Sequence, residues 1–252
     1  MKKEQADVVA SLQNLIGDAL FEEFAESMAK VLVEQQQMQG PLLLSKEMAI
    51  NQKKKVYQQA LTKELQEQSK ILIKAVHLIR ENLDKHFEKD EIEVIEKEME
   101  LASVHILEPA FAQSINEGMS VQEALSFSKQ TLFAFYTIGY ELFKQEMTED
   151  ALAIFTLLTF LNGLVYDYWI AKGICHQKRE EKVEALIAFT ITAQLFPDHP
   201  EPKILAIEIH LASQEIEDAR GWLAELTQLV RERPDLQQWQ QQIDRIETLI
   251  RQ

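Results

Sequence analysis

Six histidines, one cysteine and 41 acidic residues are the groups from which this 252-residue chain would have to build catalysis or a metal site. A zinc protease needs two histidines one helical turn apart with a glutamate between them as base, and none of His77, His86, His105, His176, His199 and His210 stands in that pattern. Three residues before these histidines come Lys74, Leu83, Ala102, Gly173, Phe196 and Ile207, so the Glu-x-x-His pair of di-iron bundles is absent too. Cys175 and His176 are adjacent, and neighbours on a helix point in different directions rather than into a thiolate pair. A lone cysteine excludes an intrachain disulfide and a Cys-based zinc knuckle, and fits a reducing compartment. The 7 glycines are scattered and form no phosphate-binding loop. No catalytic residue, no metal and no cofactor are expected; the chain reads as a non-enzyme.

With 26 basic against 41 acidic residues the net charge is −15, which disfavours nucleic acid and anionic membrane as partners. Hydrophobic residues make up 46% and charged residues 27%, the balance of a soluble globular chain. Only 7 Gly and 6 Pro are present, too few turn formers for a many-stranded β protein, so the fold class expected is all-α. Met1-Lys2-Lys3 is followed by Glu4 and Asp7 instead of a continuous apolar run, so a cytoplasmic location is expected. The uncharged stretch from Ala151 to Tyr166 is shorter than the ~18 to 20 residues of a membrane span and reads as a buried helix.

The elements that must position any functional surface come in two blocks. Residues 1–110 form an N-terminal helical region, a bundle or a coiled-coil-like arm. Apolar residues recur at three- and four-residue steps from Val8 to Leu32 until Gly40-Pro41. They do so again from about Ser45, a candidate cap, through Leu72, Val76, Ile79 and Leu83 to about Lys89. Asp90 and Glu93 have capping-box spacing and predict a third helix ending before Pro109. The triplet Lys53-Lys54-Lys55 and the acidic stretch Glu88 to Glu100 read as solvated helix faces.

Residues 111–252 form the second block, and past residue 118 the sequence repeats itself. Ala151, Ala185 and Ala219 recur at an interval of 34, each after an acidic residue, and Phe155, Phe189 and Leu223 keep the same interval. Gly139 and Gly173, Phe135 and Trp169, and Gly163 and Pro197 do likewise. A 34-residue period with aromatic, Gly, Ala, aromatic and Pro in this order is the tetratricopeptide (TPR) pattern. Small residues are needed where the two helices of a hairpin cross, and aromatic residues fill the space beside the crossing. Three units follow, about 131–164, 165–198 and 199–232, the third with Ile207 at the Gly position and Lys203 at the aromatic one. Pro234 opens a C-terminal helix, 235–251, whose Leu236, Trp239, Ile243, Ile246 and Ile250 cap the stack.

In register, residues 118 to about 230 resemble the SycD/LcrH type of class II chaperone of bacterial type III secretion. The segments that carry the likeness are Gly118-Met119-Ser120-Val121, Tyr140 to Phe155 (YELFKQEMTEDALAIF), Tyr166 to Gln177 (YDYWIAKGICHQ) and His199 to Leu211 (HPEPKILAIEIHL). They cover a little under half of the chain. The resemblance implies a protein that binds hydrophobic translocator proteins and keeps them soluble before export. Residues 1–110 exceed the short N-terminal region usual in that family, and leave open an extra cargo site, a homodimerisation arm or a dock on the export apparatus.

The first helix of each unit lines the concave side of such an array. Counting from the Gly position places Tyr136, Tyr140, Phe143 and Lys144 there in unit one, Ile170, Ile174, Gln177 and Lys178 in unit two, and Ile204, Glu208 and Leu211 in unit three. This set is the expected protein-binding groove, apolar with a few polar anchors, suited to an extended segment. Any one of Tyr140, Ile174 and Leu211 also fits an inter-helix core position. Two other readings stand beside the translocator chaperone: a TPR scaffold or apparatus component, and a chaperone of another export substrate such as the needle subunit.

Overall fold

The computed structural model describes residues 70–106 and 108–251, with the side chains of Ala112 and Asn116 left aside. The apolar pattern of residues 4–39, the Gly40-Pro41 stop, the Ser45 cap and the lysine triplet lie outside the described residues. All regular structure among the described residues is helical, in agreement with an all-α chain. The contacts divide the chain into two compact units, one of residues 1–118 with 124–127 and one of residues 119–123 with 128–252. This division falls at Gly118, eight residues beyond the boundary read from the sequence.

In the first unit, residues 70–86 are helical (α1) and bury Leu72, Ala75, Ile79, Asn82 and Leu83, one face at steps of three and four. Asn82 is tolerated there because its amide donates to the Leu78 carbonyl one turn back, at 2.7 Å. The chain breaks at Phe87 and Glu88, and α2 runs Lys89–His105 with Ile95, Met99 and Ala102 buried. Its capping box is Glu88 and Glu91, not Asp90 and Glu93. The Glu88 N–H donates to Glu91 Oε2 at 3.0 Å, because Asp90 already has helical backbone and cannot serve as the extended cap. Pro109 begins α3 (Pro109–Asn116), where its missing N–H costs nothing.

The second unit is the repeat. A one-turn helix, α4 (Val121–Ala124), is capped by Ser120, whose backbone N–H and hydroxyl both donate to Glu123 Oε2 at 2.9 and 2.8 Å. Then come α5 (Lys129–Lys144) and α6 (Thr148–Leu161), α7 (Tyr166–Lys178) and α8 (Lys182–Leu195), and α9 (Glu201–Ala212) and α10 (Ile216–Glu232). From α5 onward each helix packs on the next in chain order, giving three TPR hairpins. Ser128 caps α5, its hydroxyl accepting from the Thr131 N–H at 3.1 Å.

Each hairpin is shaped by the residues that recur at 34. Ala151, Ala185 and Ala219 are fully buried. A methyl group on Gly173 would lie 2.4 Å from the Phe189 ring, and one on Gly139 would lie 3.1 Å from Phe155 and from Ile154. The missing side chain is therefore the space the opposing ring occupies. Unit three reverses the division of volume: Ile207 on the first helix faces a smaller Leu223 on the second, within one buried cluster. Its Lys203, buried in place of the aromatic residue, donates to the Pro197 carbonyl at 3.1 Å, just as the indole N–H of Trp169 donates to the Gly163 carbonyl at 2.9 Å. Two chemically unlike residues thus tie the same inter-unit turn.

The corners between paired helices also recur. Glu146, Glu180 and Gln214 adopt left-handed backbone at φ 64°, 61° and 60°, and the next residue's N–H reaches back to the carbonyl of Leu142, His176 and His210 at 3.0, 3.0 and 2.8 Å, a Schellman closure. In units two and three this closure is doubled by His176 Nδ1 with Glu181 Oε2 and His210 Nδ1 with Glu215 Oε2, each at 2.8 Å. Leu142 and Met147 hold the same positions in unit one, where an apolar pair is the usual companion of the motif.

The terminal segment differs from the single helix expected over 235–251. Pro234–Trp239 is a 3₁₀ turn and only Gln240–Ile250 is α-helical (α11). The Arg233 side chain pairs with Asp235 and Asp198, both at 3.0 Å, and Gln237 Nε2 donates to the Val230 carbonyl at 3.3 Å, so local bonds hold the tighter turn. Leu236, Trp239 and Ile250 pack round the buried Ile243 and Ile246, closing the end of the stack.

Candidate functional site

Three- and four-residue steps along α5 carry Phe133, Tyr136, Tyr140 and Phe143 on one face. Phe133 is 67% and Tyr140 49% exposed, unusual for aromatic side chains on a helix whose other face fills the core with Leu132, Phe135, Ile138 and Leu142. Tyr136 is half-buried, its ring 5.6 Å from Phe155 and 5.9 Å from Tyr168, so it joins the exposed row to the α6 and α7 packing. Lys144 Nζ stands 5.5 Å from the Tyr140 ring centre and Lys178 Nζ 5.1 Å from that of Phe143, both within cation–π range. Lys144 is also bonded to Glu141 at 2.9 Å, and Lys178 lies 3.7 Å from Glu146.

Units two and three contribute less apolar surface than expected. Ile170 and Ile204 are 8% and 5% exposed and belong to the inter-helix core, Ile170 in one cluster with Ala206 and Ile209 of α9 and Ile204 in one with Ala219 and Leu223 of α10. Ile174 and Leu211 are half-buried at the edges of the same clusters. Gln177 is half-buried, while Lys178 and Glu208 are exposed. The structure therefore brings Tyr136, Tyr140, Phe143, Lys144 and Lys178 together as one accessible patch, with Ile174, Gln177, Glu208 and Leu211 continuing along the later first helices.

Phe133 was not among the expected residues, although it continues their spacing one step toward the start of α5. Its neighbours Leu132 and Phe135 both face the core, and without the fold its apolar character merges with theirs. Beside it the start of α7 completes a pocket of about 380 Å³, walled by Leu132, Phe133, Tyr136, Val165 and Tyr168. Its polar lining is Gln122, Lys129, Asn162 and Asp167. The Asn162 amide donates to Gln122 Oε1 at 2.7 Å while its own oxygen accepts from the Leu164 N–H at 3.0 Å, which fixes that wall. Burial raises the phenol pKa values of both tyrosines, Tyr168 up to about 12, and the nearby Asp167 charge adds in the same direction.

The groups singled out for chemistry are placed elsewhere. Cys175 is fully buried and its thiol is pushed up to about 12 by burial, the opposite of an activated nucleophile. Among the described residues His210, Glu215 and Asp218 bring three potential ligand atoms within 4.8 Å of one another. Glu215 is already engaged by His210 and by the Lys182 ammonium, so the trio reads as an ion-paired helix corner. Among the described residues no helix is long and apolar enough to cross a membrane.

No protein-family profile and no curated protein sequence matches the chain. Solved structures do. A type III secretion complex from Aeromonas hydrophila superposes with a TM-score of 0.51 at 21% identity, over 57% of this chain and 96% of that one. The translocator chaperone SycD of Yersinia enterocolitica aligns at 19% identity with a TM-score of 0.47, over 53% of this chain and 98% of its own. PcrH of Pseudomonas aeruginosa aligns at 21% with a TM-score of 0.46, over 50% and 96%. At such identities the Aeromonas match, with the highest of these scores, speaks for the helical-repeat fold alone.

Proposed function

We propose that this chain is a chaperone of type III secretion that holds an extended, apolar segment of a hydrophobic translocator protein across the first-helix face of its array. The observation that carries the reading is the aromatic row Phe133, Tyr136, Tyr140 and Phe143, with Phe133 and Tyr140 exposed and the other two half-buried, edged by Lys144 and Lys178 on a helix whose opposite face fills the core. Aromatic surface of this kind, left open in an acidic protein, loses water favourably only against a partner. The sequence likeness of residues 118 to about 230 to translocator chaperones names the class of partner, and a net charge of −15 keeps the resulting complex soluble. Holding needs no catalysis: occupying the segment withdraws it from aggregation by mass action.

The test is co-expression with the hydrophobic secreted protein encoded nearest to it. Wild type is expected to keep that protein soluble and co-purify with it, and Tyr140→Glu to leave it in the pellet while the variant's own circular dichroism is unchanged. A partner equally soluble with both forms refutes the face assignment. A stable complex with apparatus subunits alone, retained by Tyr140→Glu, makes the chain a scaffold instead.

A further inference from the structure

The pocket between the first turns of α5 and α7 has a chemistry of its own. Three aromatic side chains line it: Phe133, largely exposed; Tyr136, half-buried; and Tyr168, buried against Tyr136 at 5.9 Å. An aromatic face carries negative quadrupole charge and attracts a cation within about 6 Å. The one carboxylate in the lining is Asp167, exposed in the first turn of α7, and its charge acts on both tyrosine phenols. Lys129 is the one cation in the lining, against one carboxylate and three aromatic side chains. The remaining polar lining is spoken for, since Asn162 and Gln122 bond each other. At about 380 Å³ the space suits a single long side chain and is too small for a folded element.

We infer that this pocket binds the cationic side chain of an arginine or lysine in the held segment, with Asp167 as counter-ion and Phe133, Tyr136 and Tyr168 as the surrounding rings. This rests on the reading of the neighbouring face as a segment-binding surface, and adds to it a requirement on the segment: a basic residue beside its apolar ones. The excess negative charge of the whole chain favours the same sign of ligand.

The experiment titrates the full chain with N-acetyl-arginine amide and with its neutral isostere N-acetyl-citrulline amide, following aromatic ring protons by NMR. The arginine probe is expected to bind on the order of 1 mM, as its few heavy atoms allow, and to shift the rings of Phe133, Tyr136 and Tyr168. Citrulline amide should bind about tenfold more weakly, and Asp167→Asn should remove that preference. Phe133→Ala, at an exposed position, should weaken the arginine probe several-fold without unfolding the chain. Equal binding of the two probes, shifts confined to other rings, absence of saturable binding, or tighter binding of N-acetyl-glutamate amide through Lys129 would each overturn the inference. Tyr140→Glu lies outside the pocket and should leave probe binding intact. A chain that binds the probe but holds no translocator therefore refutes the chaperone reading alone, whereas one that holds a translocator but not the probe refutes the pocket alone.

Discussion

Replacing Gly173 by alanine adds one methyl group, and the structure dictates its cost. On a helix the change by itself favours folding by about 1 kcal/mol, since glycine has more backbone freedom to lose. Here the new Cβ would sit 2.4, 2.8 and 3.0 Å from Cε1, Cδ1 and Cζ of Phe189, inside contact distance for every one of them. Phe189 is fully buried, so its ring cannot swing away. Overpacking of this kind costs typically 1–3 kcal/mol and more where nothing relaxes, so a net loss of about 2 kcal/mol is expected. Gly221 supplies the control: it lies on α10 with no atom within 4 Å of its added Cβ, and Gly221→Ala should gain about 0.5–1 kcal/mol. Gly139, whose added methyl would meet Ile154 and Phe155 at 3.1 Å, should fall between the two. Urea midpoints at constant slope, read by far-ultraviolet circular dichroism, rank the three. Adding Phe189→Leu to Gly173→Ile reproduces the Ile207 and Leu223 arrangement of unit three and should recover more stability than the single variants predict. If Gly173→Ala is neutral or stabilising, or if the double variant shows no coupling, the division of volume at the crossings has been misread.

Two further outcomes follow from groups inside the array. Cys175 should resist alkylation at pH 8 in the native chain and react at the rate of unfolding in urea, because burial both shields the thiol and holds it protonated; rapid native labelling would contradict its placement. Glu181 and Glu215 have lowered pKa values, Glu181 chiefly through its bond to Arg179 and Glu215 chiefly through its bond to Lys182. A lowered carboxylate pKa contributes stability that is fully present above the unfolded value of about 4.5 and is lost as pH falls through the folded one. The urea midpoint should therefore hold steady from neutral pH down to about 5.5 and drop below about 4.5, and the pair Glu181→Gln with Glu215→Gln should blunt that drop; an acid profile unchanged in the double variant would remove these corners as its source.

Different parts of the molecule were legible to different degrees. The capping helix was visible as a spacing of Leu236, Trp239, Ile243, Ile246 and Ile250, yet its first turn is 3₁₀, since bonds from Gln237 and Arg233 outweigh the propensity that the spacing reports. The two His–Glu corners also stand at the interval of 34, but a pair five residues apart is no helix-face neighbour, and only the left-handed residue between them turns the chain so that they meet. Ile170 and Ile204 have the same register as Tyr136 but are buried where Tyr136 is half-buried, and register carries no information about how closely a position is covered.

By its sequence alone this protein declared a helical repeat, because the need for a small residue at every helix crossing recurs with the unit and is written in one dimension at Ala151, Ala185 and Ala219. The same interval placed the first-helix positions from Tyr136 to Leu211. Tertiary structure alone decided which of these stay open. Exposure depends on what the neighbouring unit covers, and the pocket at Phe133 draws Gln122, Asn162 and Asp167 from segments up to 45 residues apart, a conjunction that no local spacing encodes.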